Sequence, residues 1–221
     1  MIGVGFVGIE AFDIILYIAR TLSALDKQVL IIDLSETDVM TRAIYHGMDM
    51  DSAYDIIHYC DINYVRRLPQ ETELNDYKNG VVFVVYGFNY LEKPPIKIDV
   101  MYIISDSFPS NIVKINKFLF TIATDNANLR LIMRDIVTIE DFERVKRSLL
   151  HSWNHDNSGY LYYDIYDYEN ALKCQISQDI KYRSISSRMK KTIINELGNI
   201  VSNIKPSSIR RAFYSAGKGV N

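Results

Sequence analysis

The sequence predicts an α/β fold with a mostly parallel central sheet flanked by helices, and three observations carry that expectation. The opening MIGVGFVG is apolar and β-rich, residues from about Glu10 to Asp26 place Phe12, Ile15, Leu16, Ala19, Leu22 and Leu25 at helical spacing, and QVLIIDLSE returns as a second apolar run. Two further runs, VVFVVYG (81–87) and DVMYIISD (99–106), are apolar at nearly every position instead of alternating, as strands covered on both faces must be. Helical patterns fall between these runs, and a strand, helix, strand succession is the signature of a parallel sheet.

The elements follow in order. After Asp33, SETDVMTRAI reads as a helix, and residues from Ser52 to Tyr59 as another. A polar connection runs through Pro69, Asn79 and Gly80 to the two central strands. Ser110 to Phe120 is compatible with a helix, LRLIMRDI (129–136) with a strand, and IEDFERVKRSLL (139–150) with an amphipathic helix turning Phe142, Val145 and Leu149 inward. In SGYLYYDIYDYENAL the tyrosine-dense run from Tyr160 to Tyr168 reads as an edge strand or packing loop, with a protein-contact surface as the alternative, because tyrosine offers a large amphipathic area. A long helix, SSRMKKTIINELGNIVSNI, comes next. There is no internal repeat and no long linker, so a single domain over residues 1–204 is expected, followed by a basic, flexible tail over 205–221.

Composition excludes more than it selects. The 221 residues are 48% hydrophobic, enough for a buried core, and a formal net charge of −2 gives no global electrostatic reason to bind nucleic acid or a membrane surface. Two cysteines, Cys60 and Cys174, do not make a disulfide framework. Glu10 and Asp13 interrupt the apolar start, which lacks a signal-peptide pattern, and no segment reaches the roughly 20 apolar residues that span a bilayer. A cytoplasmic protein is expected, with recruitment to a membrane-associated assembly only through a partner.

Gly3, Gly5 and Gly8 spell G-x-G-x-x-G ahead of a helix, and the next strand ends in Asp33, which invites a dinucleotide-binding reading. The register opposes it. The ribose-binding acid of that motif lies about 20 residues on, whereas Gly3 and Asp33 are 30 positions apart and only Met1 and Ile2 remain for the first strand.

With the turn placed at Gly8, the order of elements resembles the ParA/MinD family, the deviant Walker A branch of the P-loop ATPases. That family begins with a short strand, a K-G-G-x-G-K-T-T loop, a helix and a strand ending like VLLIDLD, and VLIIDLSE matches the last of these. The resemblance places Phe6, Val7, Gly8, Ile9, Glu10, Ala11, Phe12 and Asp13 on the loop, where only Gly8 agrees. The family's signature lysine falls on Phe6, its P-loop lysine on Ala11 and its magnesium-binding hydroxyl on Phe12. A phosphate cradle needs glycines for close backbone approach, a lysine for the β/γ charge and a hydroxyl for the metal. Here Glu10 stands for a glycine, and Asp13 in the first helical turn suits the helix dipole but repels phosphate.

Further similarity is of pattern. VVFVVYGFN offers Tyr86 and Gly87 where the family has a Walker B aspartate, and IDVMYIISDSFPSNIVKINKFL is similar to its AD-x-x-x-x-V-T-x-P-x-x-x-S-I segment. LRLIMRDI puts Arg134 and Asp135 where the family shows N-R beside the adenine, and YYDIYDYENALKCQISQDI is similar to the region before its C-terminal helix. Asp33, isolated from a lysine, hydroxyl or Walker B acid, reads as a turn or cap residue. The resemblance implies a pseudo-ATPase that positions or assembles other proteins, with no cofactor, a secretion, pilus, division or partition assembly as partner, and homodimerisation through the former nucleotide site. The apolar replacements either fill that site or form a protein interface.

Other constellations are thin. His46, His58, His151 and His155 form no metal signature, and there is no G-x-S-x-G elbow. Arg210, Arg211 and Lys218 in the tail are candidates for contact with phosphate or an acidic partner, which keeps a DNA-partition role as an alternative beside a nucleotide- or dinucleotide-binding enzyme; binding to nucleic acid is not the expectation.

Overall fold

The computed structural model describes residues 1–42, 44–45, 55–89, 96–122, 127–177 and 185–217, those at 121 and 122 by backbone alone. Strands β1 (Ile2–Gly8), β2 (Val29–Asp33), β3 (Ile57–Tyr59), β4 (Ile62–Val65), β5 (Val81–Gly87), β6 (Val100–Ser105), β7 (Asn128–Ile136) and β8 (Ser158–Tyr162) form one sheet in the order β3-β4-β2-β5-β1-β6-β7-β8. Every pairing is parallel except the β3–β4 hairpin. Helices α1 (Phe12–Ser23), α2 (Glu71–Leu74), α3 (Pro109–Ile122), α4 (Ile139–Ser148), α5 (Ile165–Ser177), α6 (Ser187–Ile200) and α7 (Pro206–Ala216) complete the chain. The α/β class and mostly parallel sheet expected from the apolar runs are the observed ones.

The continuous apolar strands are explained by the two cores they feed. In β5, Val81, Phe83 and Val85 face a core shared with α1, α6 and α7, while Val82, Val84 and Tyr86 face one shared with α3 and α4. β1 lies between β5 and β6 at the centre of the sheet. Its Phe6 stacks on Tyr102 and meets Phe83 edge-on, both at 5.2 Å between ring centroids. A Cβ at Gly3 would come within 2.1 Å of the Lys97 carbonyl oxygen, so this glycine lets neighbouring backbone close onto the strand. Across β6 and β7, Arg130 donates to Glu196 of α6 through Nε (2.5 Å) and Nη2 (3.1 Å), and the Tyr102 hydroxyl donates to Glu196 Oε2 (3.0 Å). Burial and the adjacent Glu196 carboxylate push the Tyr102 phenol well above its usual pKa.

Three expectations are corrected. Residues 57–59 are not helical but pair with β4 across a tight turn in which Cys60 (φ 49°) and Asp61 (φ 58°) are both left-handed, the geometry that matches strand twist; residues 52–54 of that expected helix lie outside the described ones. Residues 35–42 of SETDVMTRAI wind as successive turns, because Asp38 is left-handed (φ 51°) and the Asp33 carboxylate draws in the amides of Met40 and Thr41; residue 43 of that expected helix lies outside the described ones. Residues 206–216 are helix α7 instead of a flexible tail. Pro206 opens it, and Ile209, Ala212 and Phe213 are buried against the core that holds α1 and α6. Arg210 and Arg211 remain exposed on it, and Lys218 lies outside the described residues.

Phe213→Ala is expected to cost about 3–5 kcal/mol in urea unfolding, the usual range for emptying a buried aromatic site. Arg211→Ala, on the exposed face of the same helix, is expected to stay within about 0.5 kcal/mol.

Candidate functional site at the carboxyl ends of the strands

The residues that the resemblance places on a phosphate loop, 6–13, fall in three parts of the fold, a strand end, a short connection and a helix start. Phe6, Val7 and Gly8 belong to β1, paired with Val85, Gly87 and the segment Tyr102 to Ile104 on its two sides. Only Ile9, Glu10 and Ala11 connect the strand to α1, which starts at Phe12. Gly8 makes the exit with φ +114°, a Cβ there would lie 2.0 Å from the Ile104 oxygen, and the next amide, Ile9 N–H, donates to that same oxygen at 3.1 Å. Beside it, β5 carries one extra residue between Val85 and Gly87, and the Tyr86 that stands at the Walker B position points into the core with no exposed surface.

The helix start is held by charge. Ala11 offers no capping side chain, and Asp13, in the first turn and 1% exposed, accepts from Arg134 Nη1 at 2.8 Å and Nη2 at 3.3 Å. Arg134 also donates through Nε to Asp135 (3.0 Å) and through Nη1 to the Glu10 carbonyl (3.4 Å). Its direction comes from a bulge. β7 spends one extra residue between Met133 and Ile136 against β8, and Asp135 is left-handed at φ 58°. Burial works to lower the Arg134 pKa, but Asp13 and then Asp135 outweigh it, and the net shift is upward.

Asp33 is engaged in full. Its Oδ1 accepts from the amide (3.2 Å) and hydroxyl (2.6 Å) of Ser35, and its Oδ2 from the amides of Met40 (2.8 Å) and Thr41 (3.0 Å) and the Thr41 hydroxyl (3.0 Å). Burial raises its pKa against the opposing pull of these bonds. It organises the turns after β2. Of the histidines, His58 sits on exposed β3 with Nδ1 2.9 Å from Asn63 Oδ1, and His151 packs edge-on against Trp153; His46 lies outside the described residues.

A cleft of about 740 Å³ opens where β1, β5 and β6 end, within the usual range for small-molecule sites. Phe6, Ile15, Val85 and Ile104 floor it; Glu10, Glu36 and Thr37 form one rim, and Asn111, Lys114, Lys117 and Phe118 of α3 the other. Sequence reasoning brought Phe6, Val7, Gly8, Ile9, Glu10 and Ala11 to this cleft but missed the α3 rim, for which KINK, with lysines three apart on an expected helix, was the available signal. Asp13, Arg134 and Asp135 gather in an adjoining smaller groove with Tyr168 and Leu172 of α5, whereas Asp33 lines a separate hollow. Arg210 is brought to neither.

Asp13→Ala takes the two-bonded partner from the buried Arg134 guanidinium and leaves it only Asp135 and the Glu10 carbonyl, so it is expected to cost about 1–3 kcal/mol. Arg134→Met in that background is expected to recover part of the loss in a double-mutant cycle of chemical denaturation.

Solved structures that resemble the chain include the following three. A plasmid-partition protein from Borrelia burgdorferi B31 bound to AMPPNP superposes with a TM-score of 0.58 over 92% of this chain and 99% of that one, at 12% identity. A second plasmid-partition protein from Borrelia burgdorferi gives 0.53 over the same shares, again at 12% identity. pNOB8 ParA bound to nonspecific DNA gives 0.51 over 97% of this chain and 99% of its own, at 12% identity. No protein-family model and no curated protein sequence matches the chain. The chain has the ParA/MinD-like P-loop NTPase fold, with an eight-stranded, mostly parallel sheet.

Proposed function

We propose that this protein is a pseudo-ATPase of ParA/MinD-like fold, a positioning or assembly scaffold that works through protein contacts and has no nucleotide cofactor. The observation that carries this reading is that residues 6–8, which should form the phosphate cradle, are laddered into the sheet as the end of β1. A cradle turns successive backbone N–H groups toward one anion; here the strand occupies two neighbours and Ile9 N–H is spent on Ile104. The chemistry of the side chains agrees. Glu10 and Asp13 stand at the helix start where triphosphate charge would gather, and Ala11 and Phe12 supply neither a cation nor a metal-binding hydroxyl.

The partner reading is supported by α5. Ile165, Tyr168, Leu172 and Ile176 recur at helical spacing and are between 46% and 73% exposed, a row of large apolar groups of the sort that marks protein contact. A second copy of the chain or a protein of a partition, division, pilus or secretion assembly is the class of occupant, in the cytoplasm or at a membrane-associated machine. Among the described residues no helix is long and apolar enough to cross a membrane.

Isothermal titration with ATP and ADP, with and without magnesium and up to millimolar ligand, is expected to give no saturable heat. Stoichiometric binding of Mg-ATP would overturn the pseudo-ATPase reading.

One observation favours a second reading, a DNA-binding partition role. Arg210 joins Arg188, Lys191 and His155 on a cleft of about 640 Å³ between β8, α6 and α7. Phosphate contacts would make any complex salt-dependent. Under that reading a triple Arg188→Glu, Lys191→Glu, Arg210→Glu variant loses at least tenfold in affinity for a random duplex at low salt; an unchanged mobility shift would end it.

A further inference from the structure

The cleft above β1, β5 and β6 keeps the volume of a ligand site while presenting the wrong charge for a triphosphate. We propose that it binds a small molecule with an apolar body and a single anionic head, a hydrophobic carboxylate, whose head lies against Lys114 and Lys117. This inference rests on the reading that the site does not hold Mg-nucleotide.

The floor supplies the apolar half. Phe6, Ile15, Val85 and Ile104 line the cleft, and Phe88 and Phe118 form a stacked pair at 6.1 Å on the α3 side. Ligand pockets of this size are mostly apolar with a few polar groups that set orientation.

The rims supply the orientation, and they differ in which charges are already engaged. Glu10 accepts from the Thr37 hydroxyl at 2.5 Å, and Glu36 Oε2 accepts from the Phe88 amide at 3.2 Å. Both acids therefore have local donors. Across the cleft, Lys114 and Lys117 are exposed, one turn apart on α3, and among the described residues neither makes an ion pair. Lys114 Nζ lies 4.8 Å from the centroid of the Phe88 ring, over its face. A carboxylate on the α3 side would meet an aromatic wall and two ammonium groups that have no carboxylate partner among the described residues. A triphosphate of several charges would extend toward Glu10 and the start of α1. The geometry thus selects one negative charge with an apolar body.

Three probes that share one aromatic body isolate the head: 2-naphthoate, naphthalene-2-methanol and 2-naphthylmethylammonium, each titrated calorimetrically into the full chain beside Mg-ATP. Naphthoate is expected to bind one to one and at least tenfold tighter than the ammonium, with the alcohol between. Lys114→Gln with Lys117→Gln, both at exposed positions, is expected to lower naphthoate to the affinity of the alcohol and leave the alcohol unchanged. No saturable naphthoate binding, equal affinity for the three probes, tighter binding of the cation, or naphthoate binding indifferent to the lysines would each overturn the proposal. Mg-ATP binding would sink the pseudo-ATPase reading on its own account, so failure of the ligand proposal with ATP silent leaves that reading standing.

Discussion

The site depends on a desolvated carboxylate. Asp13 is 1% exposed at the start of α1, and a buried charge persists only with a partner of matching geometry. Arg134 provides it from β7, two strands away from β1, and can do so because the Asp135 bulge turns the chain at that point. The same guanidinium donates to the Glu10 carbonyl, so one side chain fixes both the helix start and the connection that leads into it. The first turn of α1 thus carries an ion pair whose two charges compensate each other.

The rest of the sheet is held by ties of other kinds. Here β1 continues through Gly8, and its end is secured by pairing with both neighbours and by Ile9 N–H on Ile104. On the β6 and β7 side of β1, Arg130, Glu196 and Tyr102 join these two strands to α6. α7 then covers α1 and α6 with Ile209 and Phe213.

The sheet was legible in the sequence because strands buried on two faces are written as unbroken apolar runs, and VLIID, VVFVVYG and VMYIIS are such runs. The hairpin over 57–65 was not, since its left-handed residues are Cys60 and Asp61 instead of the Asn-Gly that announces a tight turn. α7 was written plainly, with Pro206 at its start and Ile209, Ala212 and Phe213 at helical spacing, but the arginines drew attention away from that stripe. Asp13 and Arg134, separately visible, are 121 residues apart, and only folding makes them one feature. The glycine pattern misleads for a physical reason: close backbone approach is needed in a central strand as well as around a phosphate, and Gly3 serves the strand.

The connection between β1 and α1 leaves a cavity open, and this bears on what the protein does. Phe12 packs into the core and Phe6 lies between Phe83 and Tyr102, and about 740 Å³ stays open above them. Packing strongly disfavours large voids inside a domain, but a cleft at the strand ends is open to solvent and escapes that penalty. Its shape therefore follows from the topology, where β1, β5 and β6 end beside α3, and its character follows from the sequence. Shape is inherited from the fold and charge is set residue by residue, so the ligand chemistry must be argued from Glu10, Glu36, Lys114 and Lys117, and the fold alone does not decide it.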